Sequence, residues 1–362
     1  MMPESPLPPG STIGILGGGQ LGRMLSIAAA QLGLKTHIYC DEADAPAFDV
    51  AHSRTVGSYT DRDALARFAG TCAVVTCEFE NVPAETLEAA ARAVPVLPGA
   101  KSFAVAQDRL VEKDFVTGLG IAVAPYVKVD TPEDLRGALA QVKIPALLKT
   151  RRFGYDGKGQ VVIRGADEIA SALEAIGHAP ALVEGIVPFE REISVIVVRG
   201  RDGAVKVYDA VENVHQNGIL AISTAPARIP HALAVEARTI AGTIAEALGH
   251  VGVLCVEMFE RSGERPQLIV NEFAPRVHNS GHWTLDACLV SQFESHIRAI
   301  CGWELGETAR HSDAVMTNLI GSEVDKWRDL AAEPDTAIHL YGKAEARPGR
   351  KMAHVTRLYP KS

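Results

Sequence analysis

The segment after the proline-rich start constrains the fold of this chain most strongly. Residues 13–16 form a short apolar run, residues 17–22 are rich in glycine, residues 24–32 are rich in alanine, and residues 35–40 form a second strand-like run. A strand, a tight turn, a helix and another strand in this order make a βαβ unit, whose two strands lie parallel in one sheet. The sequence therefore predicts an α/β domain at the N-terminus.

The glycines of that turn also suggest a ligand. Gly17, Gly19 and Gly22 fit the pattern G-x-G-x-x-G, and the acidic Asp41 follows about 20 positions later. Taken alone, this pattern indicates a nicotinamide dinucleotide site. An NAD-dependent oxidoreductase is therefore one functional hypothesis for the chain.

The rest of the chain predicts further units. A strand at 73–77 and a helix at 84–93 complete a Rossmann-like domain over 11–103, after a lead-in at 1–10 that we expect to be disordered. One continuous helix at 101–119 leads into a β-rich α+β region with a long amphipathic helix at 231–248. A strand-rich tail is expected at 335–359.

Composition excludes several classes of function. With 362 residues the chain is long enough for two or three domains, and its net charge of −8 argues against general binding to nucleic acid or to a membrane surface. No apolar run is long enough to cross a membrane. The six cysteines show neither a Cys-x-x-Cys pair nor zinc spacing, so we expect free thiols in a reducing cytosol and a cytoplasmic protein.

A second glycine-rich segment runs from residue 154 to residue 160. Gly154, Gly157 and Gly159 lack a Cβ, so their backbone N–H groups can approach phosphate oxygens while Lys158 supplies positive charge. Lys149 ends the strand-like run just before this segment. The alternative is a plain hairpin turn between two strands, because an apolar run at 161–163 follows directly.

Two carboxylates indicate a metal site. Glu257 interrupts an apolar strand at 251–259, and Glu272 follows a second strand after a turn near Gly263. If the strands pair symmetrically about that turn, the two side chains lie opposite each other and repel by about 3 kcal/mol at an effective dielectric of 20. Mg²⁺, which binds one or two carboxylates together with phosphate oxygens, suits the position, and a bridging Arg or Lys is the alternative.

These parts are the ones that phosphoryl transfer from ATP requires. Basic groups bind the phosphates, a mobile glycine-rich segment covers them, and a metal site lies beside them. Together they position the phosphates and neutralise their charge. A nicotinamide enzyme requires none of them.

Several longer motifs resemble the ATP-grasp superfamily and, within it, the N5-carboxyaminoimidazole ribonucleotide synthetases. They begin at Lys149, Glu184, Glu192, Asn213 and Asn271, and the last of them reads Asn-Glu-Phe-Ala-Pro-Arg-Val-His-Asn-Ser-Gly-His-Trp-Thr. The resemblance implies a fold of mixed α/β and α+β class, with a Rossmann-like N-terminal domain, an ATP-grasp domain at 104–302 and a small β-rich C-terminal domain at 303–362. It also implies ATP-dependent carboxylation of 5-aminoimidazole ribonucleotide by bicarbonate through carboxyphosphate, in a protein that is commonly a homodimer.

The resemblance assigns nucleotide and metal residues. It places Mg²⁺ on Glu257 and Glu272, with the glycine segment as a lid over the ATP phosphates. The positions that it assigns to ATP are Arg109, Lys149, Gly154, Tyr155, Asp156, Gly157, Lys158, Gly159, Gln160, Glu184, Gly185, Ile186, Val187, Glu192, His215, Asn271 and Glu272.

The resemblance also assigns catalytic and substrate residues. Those expected at the reacting groups are Arg276, His278, Asp156 and Lys351. Those expected to contact 5-aminoimidazole ribonucleotide are Gly19, Gln20, Leu21, Glu78, Asn81, Tyr155, Asn279, Ser280, Lys343, Arg350 and Lys351. In this family the N-terminal glycine turn faces the ribonucleotide, so NAD is not expected, and glycine usually stands where this chain has Ala353.

Other readings remain open at this point. Another ATP-grasp enzyme, such as the formate-dependent glycinamide ribonucleotide transformylase or a biotin carboxylase, would share the nucleotide machinery. The segments 78–82 and 343–354 favour the aminoimidazole enzyme. A non-catalytic nucleotide-binding scaffold is a further alternative.

Overall fold

The computed structural model describes residues 5–154, 157–261, 263, 265 and 267–362, and the described residues form three sheets. Among them, no helix combines the length and the apolar character that a membrane span needs.

The first sheet is parallel, as the βαβ pattern predicts. Its elements are β1 (Thr12–Leu16), α1 (Gln20–Gln31), β2 (Lys35–Cys40), β3 (Ser53–Val56), α2 (Arg62–Ala69), β4 (Val74–Cys77) and α3 (Ala84–Ala91). The strand order is β3-β2-β1-β4, so the chain reverses direction across the sheet between β1 and β4. The glycine turn after β1 and the polar residues after β4 therefore lie side by side at the carboxyl edge. Helix α1 begins at Gln20, four residues before the predicted start at Met24.

The predicted helix at 101–119 is wrong in one respect, because it is two helices. They are α4 (Ala100–Ala106) and α5 (Arg109–Gly118), separated at Gln107 and Asp108. Asp108 has extended backbone angles, and its carboxylate accepts a hydrogen bond from the Leu110 N–H as the N-cap of α5. The same carboxylate pairs with Arg151 at 2.6 Å, so a contact distant in sequence stabilises the break.

The second sheet is small and antiparallel, with the order β5-β8-β6-β7. Its elements are β5 (Tyr126–Val129), α6 (Pro132–Val142), β6 (Ala146–Thr150), β7 (Gln160–Ile163), α7 (Ile169–Ala175) and β8 (Ala181–Gly185). A capping box at Thr131 starts α6. The two helices and the sheet share one apolar core that includes Leu135, Leu148 and Ile169.

The third sheet is large and extends into the C-terminal part of the chain. Its strands are β9 (Arg191–Arg199), β10 (Val205–Val207), β11 (Val211–Gln216), β12 (Ile219–Ala225), β13 (Gly252–Glu260), β14 (Leu268–Ala274), β15 (Asp313–Ile320), β16 (Thr336–Leu340) and β17 (Lys351–Tyr359). Its helices are α8 (His231–Leu248), α9 (Thr284–Ala287), α10 (Gln292–Cys301) and α11 (Trp327–Ala331). The order is β14-β13-β9-β11-β12-β15-β17-β16, with β10 beside β9. The strand-rich tail thus begins at Asp313, earlier than predicted, and pairs with β12.

The large sheet has an apolar core on each face. Leu254 and Val256 of β13 pack with α8 on one face. Val253 and Cys255 belong to the other core, which also contains residues of α1 and α10. Because side chains alternate along a strand, Glu257 continues the second face, toward the N-terminal domain.

Candidate active site

The predicted pair of carboxylates lies on neighbouring strands in the predicted register. Glu257 of β13 is opposite Glu272 of β14, whereas Met258 is opposite Val270. Asn271 therefore has no partner across the ladder and forms a β-bulge beside Glu272. A bulge of this kind changes the direction in which the neighbouring side chains point, and such bulges are frequent next to active sites.

Each carboxylate of the pair contacts a different cationic or hydrogen-bonding partner. The Arg109 guanidinium lies 2.7 Å from Glu272, and Nε2 of His278 lies 3.1 Å from Glu257. Burial and the nearby Glu272 charge raise the pKa of Glu257. Burial also acts to raise the pKa of Glu272, but the Arg109 charge and hydrogen bond outweigh it and lower that pKa. A bridging Arg or Lys stays an alternative to the metal, with Arg109 beside one of the two carboxylates.

His278 is held in one orientation by its neighbours. Its Nδ1 accepts a hydrogen bond from the Ser280 N–H, so Nε2 carries the proton and donates it toward Glu257. Burial and the Arg276 charge keep the pKa of His278 well below its usual value. The imidazole is therefore neutral at neutral pH in the free protein.

Two buried lysines share one carboxylate on the nucleotide side. Lys149 of β6 lies 2.9 Å from Glu184 of β8, and Lys113 of α5 lies 3.3 Å from it. Lys113 also donates to the Asn271 carbonyl at 3.4 Å. These contacts join the small sheet, α5 and β14 into one cationic cluster beside Glu272. Sequence reasoning missed Lys113, although its spacing of four from Arg109 places both on one helix face.

The glycine segment connects two neighbouring antiparallel strands, because Lys149 of β6 is opposite Gln160 of β7. The hairpin alternative is thus correct for the local topology. Gly157 and Gly159 have positive φ values of 77° and 71°, which explains the need for glycine there. The Gly154 carbonyl accepts from Arg109 at 3.4 Å, so the segment starts next to the carboxylate pair. Tyr155 and Asp156 lie outside the described residues.

The remaining nucleotide candidates follow β8 and β9. Ile186 is exposed where the chain leaves β8 after Gly185, and Val187 follows it. Glu192 of β9 lies 2.6 Å from Nδ1 of His215. Burial acts to lower the pKa of His215, but the contact with Glu192 and the charge of Glu257 raise it.

The N-terminal turn is occupied by a side chain of its own domain. Glu78, at the end of β4, accepts a hydrogen bond from the Gly19 N–H at 2.6 Å. A Cβ at Gly17 would lie within 2.6 Å of the Glu78 carboxylate, so the glycines create the space that this carboxylate fills. The Gly19 amide, which a dinucleotide phosphate would use and which was also predicted to contact the ribonucleotide, is therefore already bonded to a carboxyl oxygen, and this disfavours the NAD hypothesis. Gln20 opens α1, and Leu21 is buried in the core.

Basic side chains of the C-terminal tail reach the same region. The ammonium group of Lys343 donates to the Lys351 carbonyl at 2.6 Å. Burial and the neighbouring charge of Arg350 lower the pKa of Lys343 to about 8, while the charge of Glu78 opposes this shift. The positive charge of Lys351 acts on both Glu257 and His278.

Two predicted substrate residues are engaged in internal contacts. Asn279 and Asn318 exchange two hydrogen bonds at 3.0 and 2.6 Å, and Ser280 accepts from Ser194 at 2.7 Å. Ser280 is fully buried, so its hydroxyl supports the loop rather than facing the cleft. Asn81 is half-buried in the turn that follows Glu78.

Sequence reasoning also missed Glu80. Its carboxylate accepts from Nη2 of Arg276 at 2.7 Å, which joins the N-terminal domain to the loop after β14. The contact joins residues that are 196 positions apart, and local pattern contains no signal for it.

Comparison with known proteins gives consistent matches over the whole chain. Family models match for a ribonucleotide synthetase preATP-grasp domain at 11–107, an ATP-grasp domain at 114–293 and a phosphoribosylaminoimidazole carboxylase C-terminal domain at 314–361. The N5-carboxyaminoimidazole ribonucleotide synthase of Brucella melitensis biotype 1 is 50% identical over 363 residues, covering 100% of both chains.

Solved structures agree with these matches. An ADP complex of an N5-carboxyaminoimidazole ribonucleotide synthetase is similar with a TM-score of 0.94 and 41% identity, covering 98% of this chain and 94% of that one. The Aspergillus clavatus N5-carboxyaminoimidazole synthase in complex with ADP and 5-aminoimidazole ribonucleotide has a TM-score of 0.91 and 32% identity, covering 98% and 95%. With its ATP-grasp domain and matches along its full length, the chain belongs to the family of N5-carboxyaminoimidazole ribonucleotide synthases.

Proposed function

We propose that this enzyme uses ATP and bicarbonate to carboxylate the exocyclic amine of 5-aminoimidazole ribonucleotide in purine nucleotide synthesis. The products are N5-carboxyaminoimidazole ribonucleotide, ADP and phosphate. The main support for this proposal is the position of the nucleotide-side cations and carboxylates described above. They lie next to a second group of polar residues, formed by Glu78, Arg276 and Lys343. The charge of Arg276 acts on both His278 and Glu78, and the charge of Lys351 acts on Glu257.

On the nucleotide side, the cationic cluster provides for the ATP phosphates. Arg109, Lys113 and Lys149 lie together, paired with Glu184 and Glu272, and the buried Glu112 also acts on Arg109 and Lys113. Three basic groups in one place favour a polyanion. The segment 157–160 follows β6, and we propose that it covers the phosphates and excludes water from carboxyphosphate.

The carboxylate pair fits Mg²⁺. Glu257 and Glu272 are neighbours on one sheet face, and burial together with their mutual repulsion raises the pKa of Glu257. A divalent cation would relieve that repulsion, and oxygen ligands next to a phosphate site match its preference. When bound, Mg²⁺ supplies charge neutralisation for the phosphates.

On the other side, we propose that Arg276 holds bicarbonate through two parallel N–H donors. Neutral His278 donates its Nε2 proton toward Glu257 and lies within the influence of the Arg276 charge, so it can help to hold and pass on a proton at this carboxylate when the amine attacks. Glu78 and Asn81 would contact the ribonucleotide, and Lys343, Arg350 and Lys351 would provide charge for its phosphate.

An omission assay tests the assignment. ADP release is measured with Mg-ATP, and bicarbonate or 5-aminoimidazole ribonucleotide is left out in turn. Full turnover is expected only with both present. Turnover that ignores the imidazole but requires formate and glycinamide ribonucleotide would instead identify the formate-dependent rival.

We further propose a cytoplasmic homodimer. All six cysteines are free thiols, as a reducing compartment favours, and Leu289 is an apolar side chain that is 84% exposed. A second copy that covers this surface would double the mass measured by light scattering, and a monomeric mass would contradict the dimer.

A further inference from the structure

The guanidinium proposed for bicarbonate already holds a carboxylate. Nη2 of Arg276 donates to Oε2 of Glu80 at 2.7 Å, and Nη1 donates to the Val277 carbonyl at 3.1 Å. The Arg276 side chain is 19% exposed and that of Glu80 is 32% exposed, so the pair lies at the edge of the cleft. Bicarbonate and a carboxylate have the same planar O–C–O group and the same charge. They therefore compete for one set of donors.

Glu80 belongs to the turn that also holds two proposed substrate contacts. Glu78 and Asn81 flank it in sequence, and Glu78 is fixed by the Gly19 N–H. The side-chain amide of Gln107 donates to the Glu80 carbonyl at 2.8 Å and to the Val82 carbonyl at 2.6 Å. The backbone of the turn is therefore held in place, while the Glu80 side chain extends from it to the second domain.

A tethered carboxylate competes well against a free one. Its effective concentration beside Arg276 is on the order of millimolar or higher, because the turn keeps it within reach. Bicarbonate must also lose translational freedom to bind, whereas Glu80 has already done so. In the free enzyme the intramolecular pair is thus favoured.

Binding of the ribonucleotide changes this competition. Its amine must reach a carboxyl group held at Arg276, so the imidazole has to enter the space between Arg276 and the 78–82 turn. We propose that Glu80 blocks Arg276 until 5-aminoimidazole ribonucleotide displaces it, so that bicarbonate is activated only when the amine is present. This inference rests on the proposed function and deepens it, because it couples the two substrates of one site.

The block prevents a wasteful reaction. Without the amine, a bicarbonate oxygen attacks the γ-phosphorus and the bond to the ADP oxygen breaks, giving ADP and carboxyphosphate. Carboxyphosphate then breaks its C–O bond, and its proton passes to the departing phosphate, giving CO₂ and inorganic phosphate. ATP is consumed with no carboxylated product.

Substitution of Glu80 by Gln tests the block, because Gln has the same shape but no charge to hold Arg276. ADP release is measured with Mg-ATP and bicarbonate, with and without saturating ribonucleotide, for the wild type and Glu80→Gln. The rate without ribonucleotide should rise roughly ten-fold, with a lower KM for bicarbonate, as loss of a tethered competitor predicts. A purely structural role for Glu80 would lower both rates and raise neither.

Two further variants keep the test decisive. Glu85→Gln removes an exposed carboxylate five positions away and should leave both rates unchanged. Glu80→Asp shortens the side chain, should give a smaller rise, and replaces the Gln variant if that one fails to fold. An unchanged or reduced rate without ribonucleotide in the folded variants overturns the block. If the wild type shows no turnover that depends on the ribonucleotide, the proposed function fails instead.

Discussion

At the scale of single residues, Glu272 carries the largest expected effect. Glu272→Gln keeps the size of the side chain but removes the charge that faces Glu257 and Arg109. We expect kcat to fall about 100-fold or more, because charge stabilisation at a phosphoryl-transfer site is lost. Steady-state kinetics measures the loss, and circular dichroism checks that the fold is retained.

A matched control is Glu246→Gln, which changes an exposed carboxylate on α8 and should leave kcat unaltered. Near-native turnover of Glu272→Gln would contradict the role that we give this carboxylate.

Lys343 gives the site a pH dependence. Its pKa is lowered to about 8 by burial and by Arg350, so the ammonium group is charged below that pH and neutral above it. We expect the KM for 5-aminoimidazole ribonucleotide to rise as the pH increases through 8, while the KM for ATP changes little. Lys343→Arg stays charged throughout and should remove the alkaline rise. The same rise in both enzymes would exclude Lys343 as its cause.

Part of the site was predictable from residues alone. Alternation along two strands and the position of a turn were enough to place Glu257 opposite Glu272, and the structure confirms that register. Lys113 and Glu80 were not predicted, because each acts through a partner on a distant element. The bulge at Asn271 also escaped prediction, since no local pattern signals one extra residue.

At the scale of elements, the break between α4 and α5 positions Arg109. Asp108→Ala removes the N-cap of α5 and the partner of Arg151 together. We expect a loss of about 1 kcal/mol or more in the free energy of unfolding, and a higher KM for ATP because Arg109 follows directly. Urea unfolding and initial-rate kinetics measure the two effects.

Asp61→Ala provides the comparison, because Asp61 is also an N-cap, on α2, and accepts from Asp63 and Ala64. It should lose similar stability without a change in the KM for ATP. Equal changes of KM in both variants would show that the effect is one of general stability.

The sequence pattern alone favours one helix here. Residues 101–119 contain no proline, and glycine occurs only near the end, so local propensity does not signal a break. The break depends on the Asp108 and Arg151 pair, which only the folded chain brings together. Helix α8, whose packing follows its own apolar face, was by contrast predicted with its observed ends.

At the scale of the whole molecule, the C-terminal strands complete the central sheet. Ile222 of β12 is opposite Thr317 of β15, and β17 pairs with both β15 and β16. Deletion of residues 303–362 would expose β12 as a long unpaired edge. We expect this deletion to give insoluble protein or to abolish cooperative unfolding, as measured by soluble yield and thermal melts.

Removal of residues 361–362 alone, which follow β17, should be tolerated. A soluble, ATP-binding protein without residues 303–362 would show that the tail is a separate folding unit. The domain boundaries at residues 103 and 302 stay predictions. The order of the three domains was predicted from motif resemblance. The continuity of the large sheet was not predicted, because it depends on strand pairing between distant segments.

Gln107, Asp108 and Arg109 form a junction in which each consecutive side chain contacts a different neighbour: the 78–82 turn, Arg151 and Glu272. This junction restricts how the enzyme can be recombined with its relatives. A chimaera that changes parent within these three residues would combine contacts from two lineages. An exchange directly after Asp202 would separate fewer of them, because Asp202 is exposed and its carboxylate accepts from the nearby Ala204 N–H. The spacing between this junction and the rest of α5 is also fixed, because one residue inserted directly after Arg109 would rotate Arg109 about 100° around the axis of α5 relative to Lys113 and away from Glu272.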